Sequence, residues 1–255
     1  MEEEKKKTKE REWWEIPARC LILVVLILVM IPGQWYRAAY IHTIGKIYPD
    51  TIESRIKEIE PETVRRLQLK FMPTELKFLI LKEERSLEIW GKDPSGKWQF
   101  LYQNVILTMS SKKGPKLLED DGKTPEGVYR ITRLNPQSIY HLALELDYPS
   151  EEDKKTARAQ GIELSRMGEG MEIHGFGLTA DGIGVTDRGL YAMFYLAAKV
   201  GLEHTQVIIS PNDFRKRPPS VNMEPAWLLE RYKLLEKELN LLKMEKSSHA
   251  ETGSN

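Results

Sequence analysis

Residues 171–190 read MEIHGFGLTADGIGVTDRGL. The apolar Met171 and Ile173 around Glu172 have the period of a short strand, which delivers His174 at its end. A Gly-rich turn follows, and Thr186–Asp187 open a helical pattern, with Asp187 a natural N-cap and the segment ended by Gly201. A histidine at such a strand end commonly activates a nucleophile, but residues 171–190 contain neither serine nor cysteine. The ordinary alternative is a hydrogen-bonded core imidazole. Gly182 and Gly184 suit a chain that turns sharply.

Working outward, the second distinctive stretch is GPKLLEDDGKTPEGVYRI, 114–131. Gly122 and Gly127 bracket a tight loop, Pro125 stiffens it, and it feeds directly into a strand. The acidic trio Glu119, Asp120 and Asp121 invites a calcium reading, yet it lacks the oxygen spacing and distal glutamate of a calcium loop. No metal and no cofactor is expected.

Between and around these stretches lie β-rich runs: ELKFLILK, RSLEIWGK, WQFLYQNVILTMS, GVYRITRL, IYHLALELDY and TQVIIS. KDPSG, centred on 93–96, is a turn. In 141–146 the alternation of His141, Ala143 and Glu145 with Leu142, Leu144 and Leu146 marks a half-buried strand. PSEEDKKTARAQG reads as a short exposed helix capped by Ser150. Many strands and few helices indicate a mainly β domain, sandwich or barrel, over 74–212.

Two motifs in this order carry a family resemblance. GPK with DDGKTPEGVYRI, then YHLALELDYPS, then IHG with a TD-initiated helix, resembles the L,D-transpeptidase catalytic domain (YkuD-like), in its exported murein-acting branch. The resemblance implies a β-sandwich-like domain. It also implies a cysteine thiolate, activated by histidine, that attacks a peptidoglycan stem peptide and passes the acyl group to an amine or to water. The family motif HGxxxSxGCxAMTD lies on this chain without a gap. His174 and Gly175 match, Thr179 replaces the serine and Asp181 the glycine. Gly182 stands where the nucleophile belongs, and Thr186 and Asp187 match again. Glycine has no group that attacks and leaves, so acyl-enzyme chemistry by the family route is lost. Thr179, or water activated by His174 and Asp181, are the candidate substitutes. Gly175, Gly122 and Gly127 are the expected substrate-contacting backbone positions. Arg188 is a surface ion-pair residue or a contact for a stem carboxylate.

The ends of the chain set its expected location. CLILVVLILVMI, 20–31, is unbroken hydrocarbon, flanked by Trp13 and Trp14 on one side and Trp35 and Tyr36 on the other. Six basic residues precede it (Lys5, Lys6, Lys7, Lys9, Arg11, Arg19), and only Arg37 and Lys46 follow closely. The positive-inside rule then leaves the amino terminus in the cytoplasm. An uncleaved anchor is preferred to a signal peptide because PGQWYRAAYIH lacks a small-residue cleavage site. The expected organisation is a cytoplasmic tail 1–16, a transmembrane helix 17–36, a juxtamembrane helical segment 37–73 capped near Asp50 or Thr51, and the domain 74–212. A linker and C-terminal amphipathic helix, 213–245, and a disordered tail, 246–255, complete it.

In that helix Leu228, Tyr232, Leu235, Leu239 and Leu242 recur at alternating steps of four and three. The seam suits docking on its own domain better than two heptads of coiled coil. The single cysteine, Cys20, excludes an intrachain disulfide and cysteine-based zinc, and sits at the edge of the apolar run. Formal net charge is +0 with no basic stripe, so no nucleic-acid partner is expected.

The combined expectation is a single-pass inner-membrane protein of a Gram-negative envelope, its domain in the periplasm. Its expected partners are peptidoglycan stem peptides, the inner membrane and cell-wall enzymes. Its expected role is that of a catalytically silent, peptidoglycan-binding or regulatory member. The alternatives are an active transpeptidase or peptidase with an unorthodox nucleophile, and an envelope scaffold working through the C-terminal helix.

Overall fold

The structure is a computed structural model that describes residues 33–47, 50–110, 112–175, 182–219 and 225–242. The chain divides into two units, 1–49 and 50–255. In the first, helix α1 (Gly33–His42) and the single turn α2 (Ile44–Ile47) are separated by Thr43, whose hydroxyl donates to the Ala39 carbonyl at 2.7 Å. Among the described residues no helix is long and apolar enough to cross a membrane. The run expected to do so, 20–31, lies outside them, as do the charged segment 1–16 and the tail 246–255.

The second unit begins at Asp50 rather than at residue 74. Helix α3 (Ile52–Leu67) starts at a Thr51 cap, where Thr51 and Ser54 form a reciprocal capping box. It is not a detached connector. Ile56, Ile59 and Leu67 are buried in the main core. Tyr195 and Lys199 of a later helix both reach Glu60, each at 3.1 Å.

Eight strands follow: β1 (Glu75–Leu81), β2 (Ser86–Lys92), β3 (Trp98–Thr108), β4 (Gly127–Ser138), β5 (His141–Leu146), β6 (Glu172–His174), β7 (Ile183–Val185) and β8 (Thr205–Ser210). Their order around the sheet is β1-β2-β3-β7-β6-β5-β4-β8, and it closes. The sandwich implied by the family resemblance is therefore corrected to a barrel. The physical reason is that every one of the eight strands pairs on both sides, the parallel β1–β8 pairing closing the ring, so no edge is left to splay into a second sheet. At the KDPSG turn Asp93 Oδ1 accepts from the Ser95 and Lys97 amides, and Gly96 takes φ 87°.

The barrel core gathers Leu76, Phe78, Leu87, Ile131, Leu142, Leu144, Ile173 and Val207 with α5 (Asp187–Val200), which is buried without a break from Ala192 to Ala197. The even-numbered side of 141–146 thus faces in, as its alternation indicates. Helix α4 (Glu151–Ala159) has the expected Ser150 cap, with Asp153 completing its capping box.

β1 is buried on both faces. Leu79 and Leu81, with Trp90 and Ile208, point out of the barrel into a second core closed by α6 (Ala226–Leu241). All five seam residues, Leu228, Tyr232, Leu235, Leu239 and Leu242, are buried there. Each large apolar side chain so covered contributes about 1.5–3 kcal/mol. The seam is thus occupied by the helix's own domain.

Candidate functional site

β6 and β7 run parallel, with Ile173 opposite Ile183 and His174 opposite Gly184. On its other side His174 faces Ala143 of β5, and Gly184 faces Thr108 of β3. Ile173 and Ile183 lie in the core. By strand alternation Glu172, His174 and Gly184 therefore share the opposite face. Gly182 lies in the bend just before β7, two positions before the residue that faces His174.

The His174 ring is only 1% exposed. Its Nδ1 lies 2.7 Å from the Gly175 carbonyl. A carbonyl only accepts, so Nδ1 carries the proton and Nε2 holds the lone pair of the neutral ring. Nε2 is buried with no hydrogen-bond partner among the described residues. Tyr140 stacks on the imidazole at 4.2 Å between centroids. Burial lowers the His174 pKa, and the Gly175 hydrogen bond offsets part of that. The ring is thereby held neutral, as a base requires.

Gly175 is there because nothing larger fits. A Cβ at that position would lie 2.8 Å from Asp187 Oδ1, 3.0 Å from Leu190 Cδ2 and 3.2 Å from the Tyr140 carbonyl. The chain thus passes hard against the start of α5. The N-cap of α5 is Thr186, not Asp187: its hydroxyl accepts from the Gly189 amide at 3.2 Å and donates to Asn104 Oδ1 at 2.9 Å. The β-region backbone falls at 186, so Asp187 is already helical. Arg188 is exposed.

Of the expected site residues the structure describes His174, Gly175 and Gly182, and it pairs His174 with Gly184, two residues after Gly182. Thr179 and Asp181 lie outside the described residues. Gly122, at φ 64°, belongs to the segment after β3, and its carbonyl accepts from Ser110, two residues beyond Thr108. Gly127 is elsewhere. It opens β4 and pairs with Ile209 of β8, two strands round the barrel from β6, so its expected place beside His174 is not what the sheet order gives.

Among the described residues no group of His, Cys, Asp and Glu has the arrangement to hold a metal ion. Asp121 instead ties its own loop, accepting from the amides of Leu117, Leu118 and Lys123.

Sequence reasoning missed Tyr140, Asn104 and Glu172. Burial, then the neighbouring Glu145 charge, raises the Glu172 pKa, while Arg133 beside Glu145 lowers the Glu145 pKa. Glu172 is adjacent in sequence to the marked stretch, but its pairing with Glu145 comes only from the sheet register.

Comparison with known proteins bears on this site. No family model matches the chain. It is 33% identical over 137 residues to the protein named "Putative L,D-transpeptidase YafK" in Escherichia coli K12, and equally to its counterpart in strain O157:H7. Over those 137 residues the chain is homologous to a protein that bears the name of a putative L,D-transpeptidase. The match covers 52% of this chain and 52% of each relative, so the chain spans about half the length of the curated proteins it matches.

Among solved structures, the helical cell shape determining protein Pgp2 of Campylobacter jejuni is similar at 21% identity and TM-score 0.43, covering 72% of this chain and 63% of that one. Bdellovibrio bacteriovorus Bd1075 is similar at 19% identity and TM-score 0.40, covering 65% and 56%. The position where the resembled motif puts its thiol is Gly182, and the only cysteine of the sequence is Cys20.

Proposed function

We propose that this protein is an envelope-anchored L,D-transpeptidase-like protein that engages peptidoglycan stem peptides without forming an acyl-enzyme. One observation carries the reading. His174 pairs with Gly184 of the adjacent parallel strand, two residues after Gly182, so the base lies on the strand beside the stretch where the family motif puts its thiol, and residue 182 has no side chain to supply one. The imidazole is 1% exposed and stacked under Tyr140, which suits a structural or substrate-holding part better than water activation.

The apolar run 20–31, with its excess of preceding lysine and arginine, supports an inner-membrane anchor and a periplasmic domain. Cell-wall enzymes are the further partners this placement makes available. The burial of the α6 seam weighs against a scaffold that works through that helix.

The test is incubation of the full chain with tetrapeptide-bearing murein fragments, followed by mass spectrometry. Unchanged fragment masses with measurable binding are expected. A cross-linked, trimmed or protein-attached product from the natural chain overturns the silent reading. Gly182→Cys run beside it is expected to gain labelling by a carbapenem, because it restores a thiol at the motif position, at the start of the strand that pairs with His174.

A further inference from the structure

The turn joining β1 to β2 and the segment after β3 enclose a cavity of about 400 Å³, within the usual range for small-ligand sites. Lys82, Arg85, Lys112 and Lys113 line it together with two carboxylates, Glu83 and Glu126, leaving a net charge of +2. Both carboxylates are engaged. Glu126 holds Lys82 at 2.7 Å, and Glu83 holds Arg217 at 2.6 Å and Lys113 at 3.7 Å.

Arg85 and Lys112 are different. Arg85 donates to the carbonyls of Ile106 (3.4 Å) and Leu107 (2.8 Å), and Lys112 to that of Asp121 (2.9 Å). Neither has a carboxylate partner among the described residues. These bonds orient the two cations and leave their charge unneutralised.

The backbone at Arg85 adds a second, independent observation. Arg85 closes the turn at φ 49°, in the left-handed region that glycine occupies without cost and other residues do not. A turn built only for pairing β1 with β2 favours glycine there. An arginine held in that conformation, with its guanidinium on the β3 carbonyls and its side chain on the cavity wall, is a strained residue at a candidate site. The planar fork of arginine suits a two-oxygen anion.

We propose that this cavity is an anion-binding site, and, resting on the murein reading above, that it takes a free carboxylate of the stem peptide. Spacing supports the link to His174. β3 receives Arg85 at Ile106 and Leu107, and the same stretch pairs Ile106 and Thr108 with Val185 and Gly184 of β7, which neighbours β6. Three strand spacings of about 4.8 Å separate the β2 side from β6, or about 14 Å. Four residues of extended peptide span about 14 Å. A stem tetrapeptide therefore reaches from the cavity to the His174 row. A phosphate group shares the chemistry, and the experiment separates the two sources.

The experiment is calorimetric titration of the full chain in detergent with three probes: a murein tetrapeptide, the same peptide with its carboxylates amidated, and inorganic phosphate. The variants are Arg85→Gln, Arg85→Gly and Arg85→Gln/Lys112→Gln, with Lys57→Gln on the exposed face of α3 as the charge-matched control. The free peptide is expected to bind the natural chain and the control alike, and the double variant at least about tenfold more weakly. The amidated peptide is expected to show the same loss on the natural chain. Arg85→Gly relieves the backbone and is expected to fold with an undiminished Tm while binding weakens, which separates ligand binding from folding.

Equal peptide affinity in the natural and double-variant chains overturns the cavity proposal and leaves the murein reading standing. Arginine-dependent phosphate binding with no peptide binding keeps the anion site and overturns its murein assignment. Failure of all three probes to bind the natural chain overturns the site itself.

Discussion

Tyr232 of α6 donates its hydroxyl to Glu126 Oε2 at 2.5 Å, while the other oxygen of that fully buried carboxylate receives Lys82 Nζ at 2.7 Å. Lys82 also donates to the carbonyls of Gly114 and Thr124, the two limbs of the loop that carries GPK and KTPEG. The C-terminal helix is thus wired into the motif loop through one carboxylate. Arg231, beside Tyr232, donates to the Glu126 carbonyl at 3.0 Å and pairs with Asp153 of α4 at 2.8 Å. Burial, and then the Glu126 charge, push the Tyr232 hydroxyl pKa far up, so it stays a donor.

Tyr232→Phe leaves a buried carboxylate oxygen without its donor and is expected to cost about 1–3 kcal/mol. Glu126→Gln leaves Lys82 buried without a countercharge and is expected to cost more, about 3–5 kcal/mol. Urea unfolding with unchanged m-values measures both. A loss smaller for Glu126→Gln than for Tyr232→Phe contradicts the wiring described.

The docked seam makes opposite demands on two leucines of the same helix. Leu235 is fully buried, and Leu235→Ala is expected to cost about 2–5 kcal/mol. Leu241 is 47% exposed, and Leu241→Ala is expected to change stability by no more than about 0.5 kcal/mol. A seam reserved for a partner helix reverses this expectation: Leu235→Ala then has little effect on the isolated chain.

Gly175→Ala places a methyl group against Asp187, Leu190 and the Tyr140 carbonyl and is expected to destabilise by about 1–3 kcal/mol. Because the Gly175 carbonyl also sets the His174 tautomer, the imidazole nitrogen shifts of His174 are expected to move in the same variant. Unmoved shifts alongside an undisturbed Tm would falsify the tight packing at this position.

The pH dependence carries two opposed contributions. The lowered His174 pKa means that the unfolded chain binds the proton first, at the ordinary histidine value of about 6.5. Stability from this group is present above that pH and is lost as pH falls through the folded value. Glu172 has a raised pKa, so its contribution is full below the ordinary glutamate value and is lost as pH rises through the folded one. Glu172→Gln is therefore expected to raise stability at pH 7, and His174→Gln to flatten the fall in stability below pH 6.5. Denaturant titrations from pH 8 to pH 4 measure both.

Local patterns were legible in the sequence because their physics is local. The alternation of Leu142, Leu144 and Leu146, the Thr51 and Ser150 caps, the KDPSG turn and the four–three seam of α6 each follow from the period or end chemistry of one element. The chemical identity of position 182 is likewise a sequence fact, and no folding changes it. The partners of each element were not legible. Period two states which side chains share a face, but not which strand lies alongside, so sandwich and barrel shared one pattern until the pairings closed a ring through all eight strands. The same non-local pairings set Gly184, two residues after Gly182, beside His174, placed Gly127 two strands away, and brought Arg85 and Lys112 to one cavity from positions 27 residues apart in the sequence.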